Sequence, residues 1–412
     1  MWTFRRLAEG LLRRIARGEY SYDAAFKGYE REEALDPAIR WTAYLAGRDF
    51  ISRYYTLARA ADAIYGGRPD ARTLADLWIY YFGGGYLEEG ERKRYSKKIA
   101  RSSPRGRLPD LDEIADSMDE VSRIAFRTSY PRWLVADLLR AMGPEAEAML
   151  SALNEPHRWL RVNLGMTDVD SAVEALRAEG VEVERHRKLD YMLLVLNYEG
   201  PLSRLKAVSA GYVVPQDVGS ALVAEEVEEG EGVVLDACSA PGGKAAILLM
   251  RRSYSLVGCD VSIRRIRDEA RLLRSWGLGG HRYELVACDA RLLQRRRFDA
   301  SILDAPCTNS GDAGRNPGVK LMLENKGVVR RYARLQRKLL EGVLRVTRGT
   351  VVYSTCSVLP EEGELVVRDM ELEGSRIGLP KGYMGIGNRV YPHVERSGGF
   401  FVSRVVGRPQ TA

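Results

Sequence analysis

Two short segments hold the residues most able to do chemistry. Cys307 closes Asp304-Ala305-Pro306-Cys307, and Cys356 lies within Ser354-Thr355-Cys356-Ser357. Each segment ends an apolar run, ASILDAPC (300–307) and TVVYSTCS (350–357), of the kind that forms a buried strand. If both runs are parallel strands of one sheet, their ends converge on one crevice. Two thiols beside a carboxylate suit one demanding reaction, methylation of a pyrimidine at carbon 5. That carbon is a poor nucleophile until a thiolate adds to carbon 6 and makes it enamine-like. The carbon 5 proton must then leave and the thiol must be eliminated. The chemistry therefore needs a nucleophile, a base or proton relay, and an acid near the ring nitrogen. A Cys307–Cys356 disulfide is the structural alternative.

A second cluster, DACSAPGGK (236–244), directly follows another apolar run. Gly242 and Gly243 let backbone approach a ligand and open a helix N-terminus. The segment is not a Walker A loop, since the first glycine is missing and Ala245 replaces Ser or Thr. Nor is it GxGxxG, so dinucleotide binding loses support. The next run ends in Asp260, placed as an acidic group is that binds both ribose hydroxyls of an adenosine ligand. Asp289 ends the following run, where it could face an adenine amine. Singly, each aspartate reads as well as a helix cap. Three at successive strand ends favour a ligand.

The elements that must position these residues follow from periodicity. VVLDAC (233–238), SLVGCD (255–260), YELVACD (283–289), ASILDAPC and TVVYSTCS alternate with helical stretches at Lys244–Arg252, Ile263–Trp276 and Arg330–Thr347. That pattern predicts a parallel sheet covered on both faces, with SGGFFVSRVV as a last antiparallel strand at an edge. Upstream, HRWLRVNLG, DVDSAVEALRAEG, VEVERH and YMLLVLNY give a small β-α-β-β unit without an aromatic RNP signature. The first 125 residues read as mostly helical, with Gly66-Gly67 a stop and Lys97–Asp116 a loop. Three domains are expected, at 1–125, 126–220 and 221–412.

The chain has 412 residues, 45% apolar and 29% charged, which is ample for folded domains. No apolar run is long enough to span a membrane, and no secretory leader is visible, so a cytoplasmic protein is expected. Five cysteines without a CxxC pair give no zinc clip, and the odd count suggests reduced thiols. Cys238, Cys259 and Cys288 then read as small core residues. Net charge is +7, and 52 of the 63 basic residues are arginine, which suits RNA as well as it reflects genome composition. Scarce Asn, Gln and Cys fit a hot environment.

DACSAPGGK, DAPC and YSTCS, in this order, resemble the Nop2/Sun family of RNA cytosine-carbon-5 methyltransferases. The resemblance runs from about 126 to 406. It includes Tyr130-Pro131, NEP with LRVN (154–163), GYVVPQD (211–217), Arg315-Asn316-Pro317 with Lys320, LQRKLL (335–340), LPEEGE (359–364) and GGFFVSR (398–404). The helical N-terminus faintly resembles the NusB-like RNA-binding domain of the bacterial small-subunit rRNA members. The resemblance implies an S-adenosylmethionine-dependent, seven-stranded, mostly parallel doubly wound α/β fold. It also implies roles. Cys238, Ser239, Ala240, Pro241, Gly242, Gly243 and Lys244 would line the cofactor's methionine end. Asp260 would hold its ribose with Arg265 alongside, and Asp289 would meet its adenine. Asp304, with Lys244 near its carboxylate, would contact and activate the cytosine. Cys356 would attack and Cys307 would assist release. The Pro306-Cys307 pair is a rival nucleophile, since DNA cytosine methyltransferases place theirs in a Pro-Cys pair. Departures from the family pattern are Gly363, Thr308-Asn309-Ser310-Gly311 with its longer polar side chain, and Val319-Lys320-Leu321-Met322 without the frequent Trp.

The expected activity is formation of 5-methylcytosine in RNA, with rRNA preferred over tRNA because of the helical N-terminus. A catalytically idle RNA-binding assembly factor is the rival from another class. The runs Arg291–Arg297 and Arg330–Arg337 would hold phosphates or form solvated helix faces. No heptad stands out, so a monomer is expected.

Overall fold

The computed structural model describes residues 4–18, 20–87, 89–103, 106–294 and 298–407. It divides into two compact units. The first comprises residues 1–154 together with 312–328, and the second comprises 155–311 and 329–412. These divisions differ from those expected at 125/126 and 220/221. Helices Glu120–Thr128, Arg132–Met142 and Glu145–Asn154 belong with the first unit.

The first unit is helical. Phe4–Ala16 buries Phe4, Leu7, Leu11 and Ile15 on one stripe, and Phe4 stacks on Trp78 at 4.0 Å. Arg40–Ser52 and Tyr54–Tyr65 follow, the latter ending at Gly66 with φ +73°. The reading of 97–116 as a loop is corrected. Helices Glu89–Ser102 and Leu111–Asp116 occupy most of it, the first supported by a Glu89–Lys93 ion pair one turn apart. Pro104 lies outside the described residues.

Residues 312–328 are held inside this unit. Tyr22 N–H donates to Asn316 Oδ1 at 2.8 Å, and Trp133 Nε1 donates to the Leu323 carbonyl at 2.9 Å. Lys320 is fully buried, with Nζ donating to Ser52 O at 2.9 Å and Asn154 Oδ1 at 2.7 Å, and burial pushes its ammonium well below the ordinary range.

The second unit has two sheets. Strands β1 (Trp159–Val162), β2 (Val183–Arg185), β3 (Met192–Val195) and β4 (Val213–Pro215) pair antiparallel in the order β2-β3-β1-β4. Helix Val169–Ala178, capped by Asp168, crosses from β1 to β2. Leu160 and Leu193 share one core with Leu222 and Ile247 of the following helices, so the small sheet packs directly on the elements that follow it.

The large sheet contains β5 (Val233–Asp236), β6 (Ser255–Asp260), β7 (Tyr283–Ala287), β8 (Ala300–Asp304), β9 (Thr350–Thr355), β10 (Leu372–Glu373), β11 (Asn388–Val390) and β12 (Phe400–Val406). Its order is β10-β12-β9-β8-β5-β6-β7, with β11 also on β12. The five strands from β7 to β9 are parallel, as their apolar runs predict. Strand β12 is antiparallel to β9 as expected. It is not at the edge, because β10 and β11 both pair with it.

The expectation of five reduced thiols is also corrected. Cys259 at the end of β6 and Cys288 just past β7 form a disulfide, their Cα atoms 5.6 Å apart. The two strands run side by side in register, which no linear spacing reveals.

Candidate active site

The parallel register aligns the strand ends that the sequence singled out. Asp236 pairs with Gly258 and Ile302, and Asp304 pairs with Ser354. Beyond β5 the chain turns through Cys238–Gly242 into helix Gly243–Arg251. Ser239 N–H donates to the Cys259 carbonyl at 3.0 Å, and Gly242 N–H donates back to Ser239 O at 2.8 Å. Gly242 sits at φ +98°, and an added Cβ would lie 2.9 Å from Glu269. Glycine is thus required there by conformation and by space.

A cavity of about 370 Å³ opens here, lined by Gln216, Asp217, Ser220, Asp236, Cys238–Pro241, Gly243, Lys244, Trp276 and Asp304 among others. Two buried carboxylate oxygens at this loop lack hydrogen-bond partners among the described residues, Asp236 Oδ2 and Glu269 Oε1. Burial, reinforced by Glu269, raises the Asp236 carboxyl well above its usual range. Burial also raises the Cys238 thiol. Unsatisfied acceptors beside a glycine-lined turn fit a ligand carrying a cationic amino group.

Lys244 Nζ donates to Asp304 Oδ2 at 2.6 Å and to Ser220 Oγ at 2.9 Å, while Ser354 Oγ donates to Asp304 Oδ1 at 2.9 Å. Burial works against the Lys244 charge, but the Asp304 carboxylate outweighs it and raises the ammonium pKa. At the end of β6, Asp260 is buried. Its Oδ1 accepts from Ser262 N–H at 2.9 Å, and Arg265 reaches its Oδ2 at 2.8 Å. Arg265 also donates to the Ala240 carbonyl, tying the two strand ends together. Asp289 instead caps a short turn and is gripped by Arg291, whose guanidinium lowers its carboxyl pKa. Of the predicted cofactor residues, Gly242, Asp260, Arg265 and Asp289 do not line the cavity.

The thiols of Cys307 and Cys356 lie 3.0 Å apart. Cys307 is buried and Cys356 is partly open. The hydrogen bond shared with Cys356, with burial, pushes the Cys307 thiol well up. Three residues that sequence reasoning left without a role complete this geometry. Asn309, at φ +58°, accepts from the Cys356 thiol at 2.8 Å, and its N–H donates to Cys307 Sγ at 3.4 Å. Glu362 is fully buried and accepts from Thr308 N–H at 2.9 Å, Ser357 Oγ at 2.7 Å and Gln336 Nε2 at 3.0 Å. It thereby holds the residue after each cysteine. Glu269 accepts from Ser239 Oγ at 2.7 Å, and burial raises its carboxyl to about 7. Glu362 had a signal in LPEEGE, but Glu269 had none.

Among the described residues, no helix is long and apolar enough to cross a membrane, and no cluster of His, Cys, Asp or Glu could hold a metal ion.

Residues 222–406 match the family model for the 16S rRNA methyltransferase RsmB/F, and residues 130–199 match the ferredoxin-like domain of RsmF/B-like methyltransferases. Ribosomal RNA small subunit methyltransferase B of Xylella fastidiosa (strain 9a5c) is 31% identical over 330 residues, covering 76% of this chain and 74% of that protein. The crystal structure of PH0851 superposes with a TM-score of 0.74 at 22% identity, covering 98% of this chain and 99% of that one, and so shares its fold. A methyltransferase homologue from Pyrococcus horikoshii is 26% identical with a TM-score of 0.59, over 71% of this chain and 100% of that one. By these matches the chain belongs to the RsmB/F family of S-adenosylmethionine-dependent rRNA methyltransferases.

Proposed function

We propose that this protein forms 5-methylcytosine in small-subunit rRNA through a covalent bond between Cys356 and carbon 6 of the target base. The observation that carries this reading is the pair of thiols, 3.0 Å apart, on the strand ends that also present Asp304. The rRNA substrate rests on the relatives' names, and tRNA is the alternative.

The cavity at the glycine turn would hold S-adenosylmethionine. Asp236 and Glu269 would take its amino group, Cys238–Lys244 would pack along its methionine end, Asp260 with Arg265 would hold the ribose, and Asp289 would reach the adenine. When bound, this cofactor supplies the methyl group that carbon 5 receives. The base must leave its stack to enter the crevice, at a cost of a few kcal/mol. Cys356, its thiol proton released to solvent, would give its electron pair to carbon 6, and charge would build on the ring toward N3. Asp304 would face that nitrogen, with the Lys244 ammonium beside it supplying positive charge and a proton to N3. After methylation, Cys307, its own proton first lost to solvent, would take the carbon 5 proton, and its raised pKa lets the sulfur hold that proton. The Cys356–carbon 6 bond then breaks with its electron pair leaving on sulfur, the ring double bond returns, and N3 gives its proton back to Lys244.

The two thiols should fail differently. Cys307→Ala should accumulate a protein–RNA adduct that survives a denaturing gel, because addition proceeds and elimination stalls. Cys356→Ala should form no adduct and no product. Adduct in the Cys356 variant alone would reverse the roles, and full turnover without either thiol would end the covalent mechanism. Nucleoside analysis of rRNA and tRNA after incubation with labelled cofactor decides the base and the substrate.

A further inference from the structure

The helix Gly327–Leu344 carries two faces with different tasks. Gln336 points inward, donating to the Pro306 carbonyl at 2.9 Å and to Glu362 at 3.0 Å, and so braces the loop that ends in Cys307. Arg330, Arg334 and Arg337 fall on the opposite face at spacings of four and three. They line an open groove of about 610 Å³ whose other wall is Glu361, Leu365, Val366, Arg368 and Asp369.

Arg337 is the floor of this groove. It forks onto Asp369 at 2.5 and 2.9 Å, reaches Glu341 at 2.8 Å, and donates to the Val366 carbonyl at 2.9 Å. It is thus neutralised, and it pins the two walls together. Arg330, Arg334 and Arg368 are exposed and make no hydrogen bond or ion pair among the described residues, with Arg368 lying in the field of Asp369. Leu365, 40% exposed, adds an apolar patch beside them. The other basic run behaves differently. Arg291 is spent on Asp289, its carbonyl accepts from Arg345, and Arg295–Arg297 lie outside the described residues.

We propose that this groove is a docking surface for the phosphodiester backbone of single-stranded substrate RNA next to the target cytosine. Three unpaired guanidiniums in one concavity match a row of phosphates, and each presents a fork of donors to phosphate oxygens. Leu365 offers an apolar surface to a sugar or base face. The helix that forms one wall of the groove also braces the Cys307 loop through Gln336, so groove and thiols share one element. The assignment rests on the RNA reading above.

The test uses the full chain and a fluorescein-labelled single-stranded oligoribonucleotide of mixed sequence. Arg330→Glu, Arg334→Glu and Arg368→Glu, singly and together, should weaken RNA binding in steps. The salt dependence should flatten by about 0.7 in log–log slope per contact removed. Arg→Gln versions should give the same order with smaller effects, and S-adenosylmethionine affinity by calorimetry should stay unchanged in all. Unaltered RNA affinity and slope in the triple variant would overturn the assignment. So would loss of binding to polyglutamate with RNA binding intact, which would mark an acidic protein partner instead. These affinities stand apart from the nature of the methylated base: a wild type that binds RNA but makes no 5-methylcytosine defeats the proposed reaction and leaves the groove standing.

Discussion

Asn309 holds both sulfurs from one backbone position, and it does so at φ +58°, where a side chain other than glycine costs free energy. A carboxamide can accept from a thiol and, turned over, donate to a thiolate, so it serves Cys356 in both protonation states. Asn309→Gly keeps the backbone conformation and removes only the amide. Turnover should fall by about ten- to a hundredfold, the worth of a hydrogen bond to a charged sulfur, with cofactor affinity intact in calorimetry. Turnover equal to wild type would make the residue a mere turn. Asp260→Ala should instead weaken S-adenosylmethionine binding by roughly 1.5–3 kcal/mol, since a charge-assisted contact is lost. Unchanged calorimetry would refute the ribose assignment. Glu269 gives a pH signature. Its folded pKa of about 7 lies above the ordinary 4.5, so the native state holds its proton more tightly than the unfolded chain. Stability from this group is complete below about 4.5 and declines as pH rises to about 7. Glu269→Gln should remove that decline, seen as a smaller drop in Tm between the two ends of the window. A decline identical to wild type would place its cause elsewhere.

Among the elements, the parallel strands were legible because burial on both faces leaves continuous apolar runs whose ends stand out. The motifs at those ends made legible that Lys244 would meet Asp304 and Cys307 would meet Cys356. The helix Glu89–Ser102 was not, because its charged sequence lacks an apolar stripe and leans on pairs such as Glu89–Lys93. Glu269 was hidden for a different reason. A buried carboxylate within IRRIRDEARLLRS reads as one more charge on a polar helix until the loop it braces is known. The Cys259–Cys288 disulfide was hidden too, since it depends on β6 and β7 being neighbours. Strand β7 is an edge strand with little buried surface, and the disulfide staples it to the sheet. Closing a loop of that length is worth about 3–4 kcal/mol on chain-entropy grounds. Reduction should therefore lower Tm by several degrees, and a thiol titration of denatured, unreduced protein should find three reactive cysteines. Five would mean that the bond does not form in solution.

At the scale of the whole molecule, the chain leaves the second unit right after the Cys307 loop, at Gly311, and returns at Val329. Residues 312–328 complete the helical unit, with Lys320 spanning Ser52 and Asn154. Deleting residues 1–125 would strip Lys320 of the Ser52 carbonyl and expose Leu321. The truncated protein should then be cut within 312–328 by a dilute protease at sites resistant in the full chain. Equal resistance would mean that this segment stands without the helices. The same excursion fixes an order of events at the ribosome. A nascent chain stalled before residue 312 still lacks Leu321 and the Lys320 contacts to Ser52 and Asn154. The helical unit therefore gains its last packing contacts only after most of the catalytic sheet has been synthesised.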